Sequence, residues 1–150
     1  FARHSDLFYM ANYAQTVNVI GCIKTSKTAA AFETTGLVLK LYRAQFGSLP
    51  VATRTTGGLD AQAAWTPDRR KLTLGVVNPS LKPVRLPLRV EGAALKGSGR
   101  RWQIAGDDPM AYNDPDLPAR VAIEETTVVE LGDHIEVAPC SVTLFAFDVR

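Results

Sequence analysis

The chain has 150 residues, 46% of them apolar and 21% charged, which is the balance of a globular protein rather than a disordered one. Seventeen Lys and Arg against fifteen Asp and Glu leave a formal charge of only +2. No basic stripe with interleaved aromatics appears, so a nucleic-acid partner is not expected, and no apolar run approaches the roughly 18 residues of a membrane span.

The chain opens on Phe1, with no charged leader and apolar core of a signal peptide in view. LFYMANYA (7–14) comes first and is ambiguous. Leu7, Met10, Ala11 and Ala14 share a helical face, but the run also suits a parallel strand buried on both sides. VNVIGCI (17–23) poses the same choice and leans to strand through its β-branched residues. Between and within these runs stand three amides at three-residue spacing, Asn12, Gln15 and Asn18, with no charge among them. Such amides either tie down backbone or face a pocket. TAAAFETTGLVLKLYRAQFG (28–47) predicts an amphipathic helix with Leu37, Leu41 and Ala44 on one face, widened by Val38 and Tyr42. Gly47 is its expected stop, and Gly36 inside it implies close packing.

After Leu49 the pattern turns to strands. Leu59–Trp65 and Lys71–Val77 flank TPDRR, a hairpin turn, and VRLPLRV follows with Pro87 marking an edge or bulge. Strand signals recur at WQIAG, ARVAIEE, TTVVEL, HIEVAP and SVTLFAFDV. GSG at 97–99 is expected as a turn. In the last run Val142, Leu144 and Ala146 alternate with Thr143, Phe145 and Phe147, so both faces are apolar and the strand is expected to be central. The expectation is an antiparallel β-sandwich, jelly-roll-like, over 50–150. Residues 1–49 make a poor domain alone and read as the tail of a larger α/β fold, so the chain is expected to be a fragment.

The chemistry is sparse. His4 and His134 lack ligand-spaced companions, and no metal motif is present, so neither a metal nor another cofactor is expected. His4, Ser5 and Asp6 are sequence neighbours, which is not how a triad assembles. Cys22 and Cys140 are expected as two buried thiols rather than a disulfide. Glu33 starts the helix, where the dipole favours a carboxylate. GDDPMAYNDPDLP (106–118) is loop chemistry with a minor prospect of calcium, Glu124–Glu125 would end a strand, and Arg69–Arg70–Lys71 and Arg100–Arg101 are short surface clusters. Glycoside hydrolysis needs two carboxylates roughly 5 to 9.5 Å apart, and no pair here stands out as acid and base. Gln15 is the remaining candidate: at the carboxyl end of a barrel strand a glutamine donates to one sugar hydroxyl and accepts from another.

These residues resemble a known family. FARHSDLFYMANYAQTVNVIGCIKTSKTAAAFETTGLVLKLYRAQFG, with its AQ-x-VNVI core (Ala14, Gln15, Val17–Ile20) and ETTGLVLKLY run, is similar to the segment after the nucleophile in glycoside hydrolase family 51, the α-L-arabinofuranosidases. VVNPS, RWQIAGDDPMAYNDP and VAPCSVTLFAF resemble that family's C-terminal sandwich. The resemblance implies the terminal part of a (β/α)8 TIM barrel (1–49, the last β/α unit) completed by an upstream segment, then a C-terminal β-sandwich (50–150). It implies retaining, exo-acting removal of terminal α-L-arabinofuranosyl residues from arabinan and arabinoxylan. The acid/base and nucleophile glutamates would lie upstream, so no catalytic residue is expected in this chain. It further implies Gln15 as the substrate-binding residue, which favours the strand reading of LFYMANYA. The upstream barrel segment and arabinofuranosides are the expected partners, with a homo-oligomer and a cytoplasmic location (secretion as the alternative). A non-catalytic carbohydrate-binding or structural sandwich, and a family member acting as endoglucanase or xylosidase, stay open beside this reading.

Overall fold

The computed structural model describes residues 1–150. A 3-10 turn at Ala2–His4 precedes a long irregular stretch, followed by β1 (Ile23–Thr25), β2 (Ala30–Phe32) and α1 (Thr34–Gln45). Eight further strands follow: β3 (Leu49–Val51), β4 (Asp60–Trp65), β5 (Lys71–Asn78), β6 (Val84–Pro87), β7 (Leu95–Ala105), β8 (Ala122–Val128), β9 (His134–Val137) and β10 (Ser141–Val149). Six of them form one antiparallel sheet in the order β3-β4-β5-β10-β7-β8, while β6 pairs with β9 in a small second sheet.

β10 is the spine of the molecule. It is hydrogen-bonded on one side to β5 (Phe145 opposite Leu74) and on the other to β7 (Leu144 opposite Trp102). Its period-2 alternation sends Phe145 and Phe147 to one face, where they pack with Leu74, Val76, Ile135 and Val137 beneath β6 and β9. Leu144 and Ala146 go to the other, against Leu37 and Leu41 of α1 together with Trp102, Ile104 and Val121. The central-strand reading of SVTLFAFDV therefore holds. The sandwich is unequal, six strands against two, and α1 covers the sheet face that the small sheet leaves open.

α1 is shorter than its 20-residue pattern because Ala30–Phe32 pairs with β1 instead. Leu37 and Leu41 are buried as expected, but Ala44 is exposed. Gly36 is buried, and a Cβ there would overlap the Cys22 carbonyl, so close packing is the reason for the glycine. Gly47 is not a left-handed stop. The helix ends at Phe46 in extended backbone, and Gly47 lies where a side chain would overlap the Trp65 carbonyl.

Three other expectations shift. GSG lies inside β7, with Gly97 at φ 83, because the strand begins at Leu95 rather than Trp102. ARVAIEE and TTVVEL merge into the single strand β8, which puts Glu124 and Glu125 in mid-strand. On this edge strand their side chains stay exposed, and Glu125 pairs with Arg100 of β7. Pro87 ends β6 opposite His134, a position in the two-stranded sheet where a missing donor is tolerated.

Two polar groups in the core lead to predictions. Tyr42 on α1 reaches across to Gly75, where any Cβ would meet its hydroxyl, and Gln62 Nε2 donates to that hydroxyl. Burial first, and the nearby Asp60 carboxylate second, push the Tyr42 phenol from 10.0 up to about 12. Because the folded-state value is raised, the stabilisation is complete below pH 10 and is lost as pH rises from there towards 12. Alkaline titration of phenolate absorbance should show one late tyrosine, and Tyr42→Phe should remove that step together with the stability loss in this window.

Thr143 is fully buried on β10 and its hydroxyl has no hydrogen-bond partner. An unpaired hydroxyl costs stability that a methyl of similar shape does not, so Thr143→Val should stabilise the fold by about 1 kcal/mol. A higher urea midpoint at unchanged slope would register it.

Candidate functional site

Residues 7–14, expected as helix or strand, form neither. Residues 9–15 make no backbone hydrogen bond within the chain. A strand exists only through a neighbour that accepts and donates along its length, and this chain offers none there. The same stretch exposes its large apolar side chains: Tyr9 is 99% exposed, Met10 65% and Tyr13 42%, and Val19 and Ile20 in the loop beyond it are exposed as well. The central strands of the six-stranded sheet bury their large apolar side chains, whereas residues 9–15 leave theirs uncovered.

The three amides separate within this ribbon. Asn12 and Gln15 are exposed and make no hydrogen bond within the chain, leaving the Gln15 carboxamide free to donate and accept. Asn18 ties down backbone. Its Oδ1 accepts from the Thr25 backbone N–H at 2.8 Å, and its Nδ2 donates to Thr25 Oγ1 at 3.0 Å. The strand expected over VNVIGCI is displaced as a result. Thr16–Gly21 is a closed loop, and pairing begins only at Ile23, which also bridges Val17.

Beside this loop lies an open polar cleft of about 480 Å³ bounded by Asn18, Lys24, Glu33, Tyr112, Asp114 and Asp116. Gln15 does not line it. Most of its polar groups are already engaged. Glu33 caps α1 by accepting from the Thr34 N–H at 2.7 Å, the local role expected for it. Asp114 accepts from the Asp116 backbone, and Asp116 accepts from Ser26 Oγ.

The loop at 106–118 is organised by Asn113, which the sequence reading did not single out. It is 3% exposed. Its Nδ2 donates to the carbonyls of Phe32 (3.0 Å) and Val121 (2.8 Å), and its Oδ1 accepts from the N–H groups of Arg120 and Val121. This is side-chain-to-backbone chemistry, as the Asp, Asn and Pro content implies. Nowhere do three or more His, Cys, Asp or Glu side chains converge as a metal site.

The other candidates scatter. His4 and Ser5 are exposed beside the N-terminal turn and do not bond to Asp6 or to each other. His134 lies on β9, where its ring contacts Asp133 and Arg85. The hydrogen bond to His134, followed by its charge, holds the Asp133 carboxyl below the usual range. Cys22 and Cys140 are free but half-buried rather than buried, each with Sγ turned to a backbone carbonyl, Thr16 and Ser80. Trp102 is a core residue and Trp65 is half-buried, so the tryptophans form no exposed sugar-stacking platform.

A six-stranded sheet covered on one face by α1 and on the other by a two-stranded sheet defines the class, an antiparallel β-sandwich. Comparison with known structures agrees. An "Arabinofuranosidase" crystal structure superposes with a TM-score of 0.84 over 97% of this chain and 35% of its own, at 25% identity. The thermostable GH51 α-L-arabinofuranosidase from Thermotoga petrophila RKU-1 gives 0.78 over 95% of this chain and 34% of its own, at 24% identity. CelM2, a bifunctional glucanase-xylanase from a metagenome library, shares the fold at 0.62 and 22% identity, over 85% of this chain and 24% of its own. The chain thus spans about a third of the length of the arabinofuranosidases it matches. Among curated protein sequences none matches it significantly. The family model described as the α-L-arabinofuranosidase C-terminal domain matches residues 1–141. The chain belongs to that family.

Proposed function

We propose that this chain completes a retaining, exo-acting α-L-arabinofuranosidase that removes terminal non-reducing α-L-arabinofuranosyl residues from arabinan, arabinoxylan and their oligosaccharides. The acid/base and nucleophile glutamates are supplied by the upstream barrel segment, and this chain supplies the last β/α unit and the sandwich. One observation carries the reading. Residues 9–15 have unpaired backbone and exposed apolar side chains at the same place, which is what a parallel barrel strand shows without its neighbours. Seated between barrel strands, this stretch would present Gln15 at the carboxyl end, where its free carboxamide hydrogen-bonds arabinose hydroxyls. The sandwich and α1 act as scaffold and as contact surface for a cytoplasmic homo-oligomer.

The test is reconstitution. Native mass and release of 4-nitrophenol from its α-L-arabinofuranoside are measured for this chain alone and for the chain joined to its upstream segment. Activity is expected only in the joined protein, with Gln15→Ala lowering kcat/KM by about 100-fold because hydrogen bonds to the sugar strengthen in the transition state. Turnover by this chain alone, as a 16.3 kDa species, would refute the proposal. Tight binding of arabino-oligosaccharide by the chain alone, without turnover in the joined protein, would instead make it a binding module.

A further inference from the structure

The loop that follows Gln15 is held far more tightly than the stretch that precedes it. The Thr16 carbonyl accepts from the Ile23 N–H at 3.1 Å and from Cys22 Sγ at 3.6 Å. The Asn18 N–H donates to the Ile23 carbonyl at 2.8 Å, and the Gly21 N–H to the Asn18 carbonyl at 2.5 Å. Lys24 Nζ donates to the Val19 carbonyl at 2.5 Å. The turn so closed is strained: Asn18 stands at φ 56 and Val19, a β-branched residue, at φ 46. A Cβ at Gly21 would lie 2.7 Å from Val17 backbone atoms, so the turn closes only with glycine there. To these bonds the Asn18 side chain adds the side-chain tie of the turn to β1, through Thr25: Oδ1 accepts from the Thr25 backbone N–H and Nδ2 meets Thr25 Oγ1. β1 is in turn anchored to the helix, because the Glu33 N–H donates to the Cys22 carbonyl at 2.9 Å.

The backbone restraint on Gln15 from this chain therefore enters through Thr16, beside a side-chain tie from the Tyr13 hydroxyl, which donates to the Ile20 carbonyl at 3.3 Å. On its N-terminal side residues 9–15 have no backbone bond. We propose that the Asn18–Thr25 clamp is the device that positions Gln15: Asn18 and Thr25 are positioning residues, acting on substrate only through the Gln15 carboxamide. The inference rests on the substrate-binding role of Gln15 given above. A strained turn is a suitable fixture because it has few alternative closures. With the clamp opened, Val19 relaxes to negative φ, the Thr16 carbonyl turns, and Gln15 moves with the peptide it shares with Thr16. A displacement of about 1 Å at a positioning group costs up to about 100-fold in rate.

The experiment uses the full-length enzyme and a double-mutant cycle between Asn18→Ala and Gln15→Ala, with kcat and KM resolved separately on the 4-nitrophenyl α-L-arabinofuranoside. Asn18→Ala alone should lower kcat/KM by about 10-fold, in the same kcat-against-KM proportion as Gln15→Ala. In the Gln15→Ala background it should change kcat/KM by less than about 2-fold, because nothing is left to position. Thr25→Val removes one hydroxyl but keeps the backbone N–H to Asn18, and should cause a smaller loss that Thr25→Ser restores. The Thr25 pair carries the comparison should Asn18→Ala lower the yield of folded enzyme. Multiplying losses in the double variant, or a silent Asn18→Ala beside a damaging Gln15→Ala, would overturn the clamp and leave the Gln15 reading standing. Full activity in Gln15→Ala would overturn both.

Discussion

Phe147→Ala is expected to destabilise the protein by about 3–5 kcal/mol, the largest single effect of any substitution considered. Phe147 is 1% exposed on the central strand, and its ring stacks on Phe145 with centroids 5.4 Å apart. The cavity left by truncation would be walled by Leu74 and Val76 from β5 and by Ile135 and Val137 from β9. These side chains stand on hydrogen-bonded strands of two sheets, so they cannot collapse into the space without breaking ladder bonds. Leu41→Ala on α1 makes an informative companion. Leu41 is 2% exposed against the opposite face of the same sheet, beside Leu144 and Trp102. Its loss should cost about 2–5 kcal/mol and appear in the same cooperative urea transition as Phe147→Ala. One shared transition would show that the helix folds with the sandwich. Two separate transitions would place a domain boundary near residue 49 and make residues 1–49 an independent unit.

Asn113→Ala should cost about 3 kcal/mol, which is large for a residue in a loop. The substitution removes four hydrogen bonds at once. It leaves the Phe32 and Val121 carbonyls and the Arg120 and Val121 N–H groups without their partner. The cost exceeds that of an ordinary hydrogen bond because the site is closed to water on the side facing Val121. Asn113→Asp retains the acceptor for Arg120 and Val121 but turns a carboxylate towards two carbonyls, so it should be no better than alanine near neutral pH. The loss should also be felt at the helix start. The Asn113 N–H lies 3.4 Å from Glu33 Oε1, the group that caps α1, so the loop and the cap are coupled. Hydrogen exchange of the first-turn amides of α1 should accelerate in Asn113→Ala. Unchanged exchange there would mean that the loop and the cap are independent.

The same fold occurs in an arabinofuranosidase and in a glucanase-xylanase structure, and a fold by itself does not fix a function. One scaffold supports different chemistries when the contacting groups stand elsewhere. The carboxamides of Asn12 and Gln15 both keep unspent hydrogen-bonding capacity in the exposed ribbon, and the proposed barrel reading puts Gln15 at the carboxyl end of the strand.

The residues alone were enough for the parts governed by short-range periodicity. SVTLFAFDV alternates two apolar faces, and a strand with two apolar faces has to be covered twice; β10 is. Leu37 and Leu41 recur at helical spacing and pack as that spacing requires, and Glu33 caps where a carboxylate meets the helix N-terminus. The AQ-x-VNVI and ETTGLVLKLY runs were likewise sufficient to point to the family.

Tertiary structure decided the rest, because the deciding partner lay far away in the chain. Gly36 and Gly47 look alike in sequence, as a helix interior and a helix stop. Both in fact exist for backbone approach, one to Cys22 and the other to Trp65. Asn113 is one polar residue among many in its loop, and only the fold brings the Phe32 carbonyl to it across 81 positions. LFYMANYA is apolar enough to be a strand, but a strand needs neighbours to hydrogen-bond with, and residues 9–15 find none within these 150 residues. Side-chain pattern is local and can be read along the chain. Backbone pairing is a property of two segments, and residues 9–15 meet no second segment within this chain.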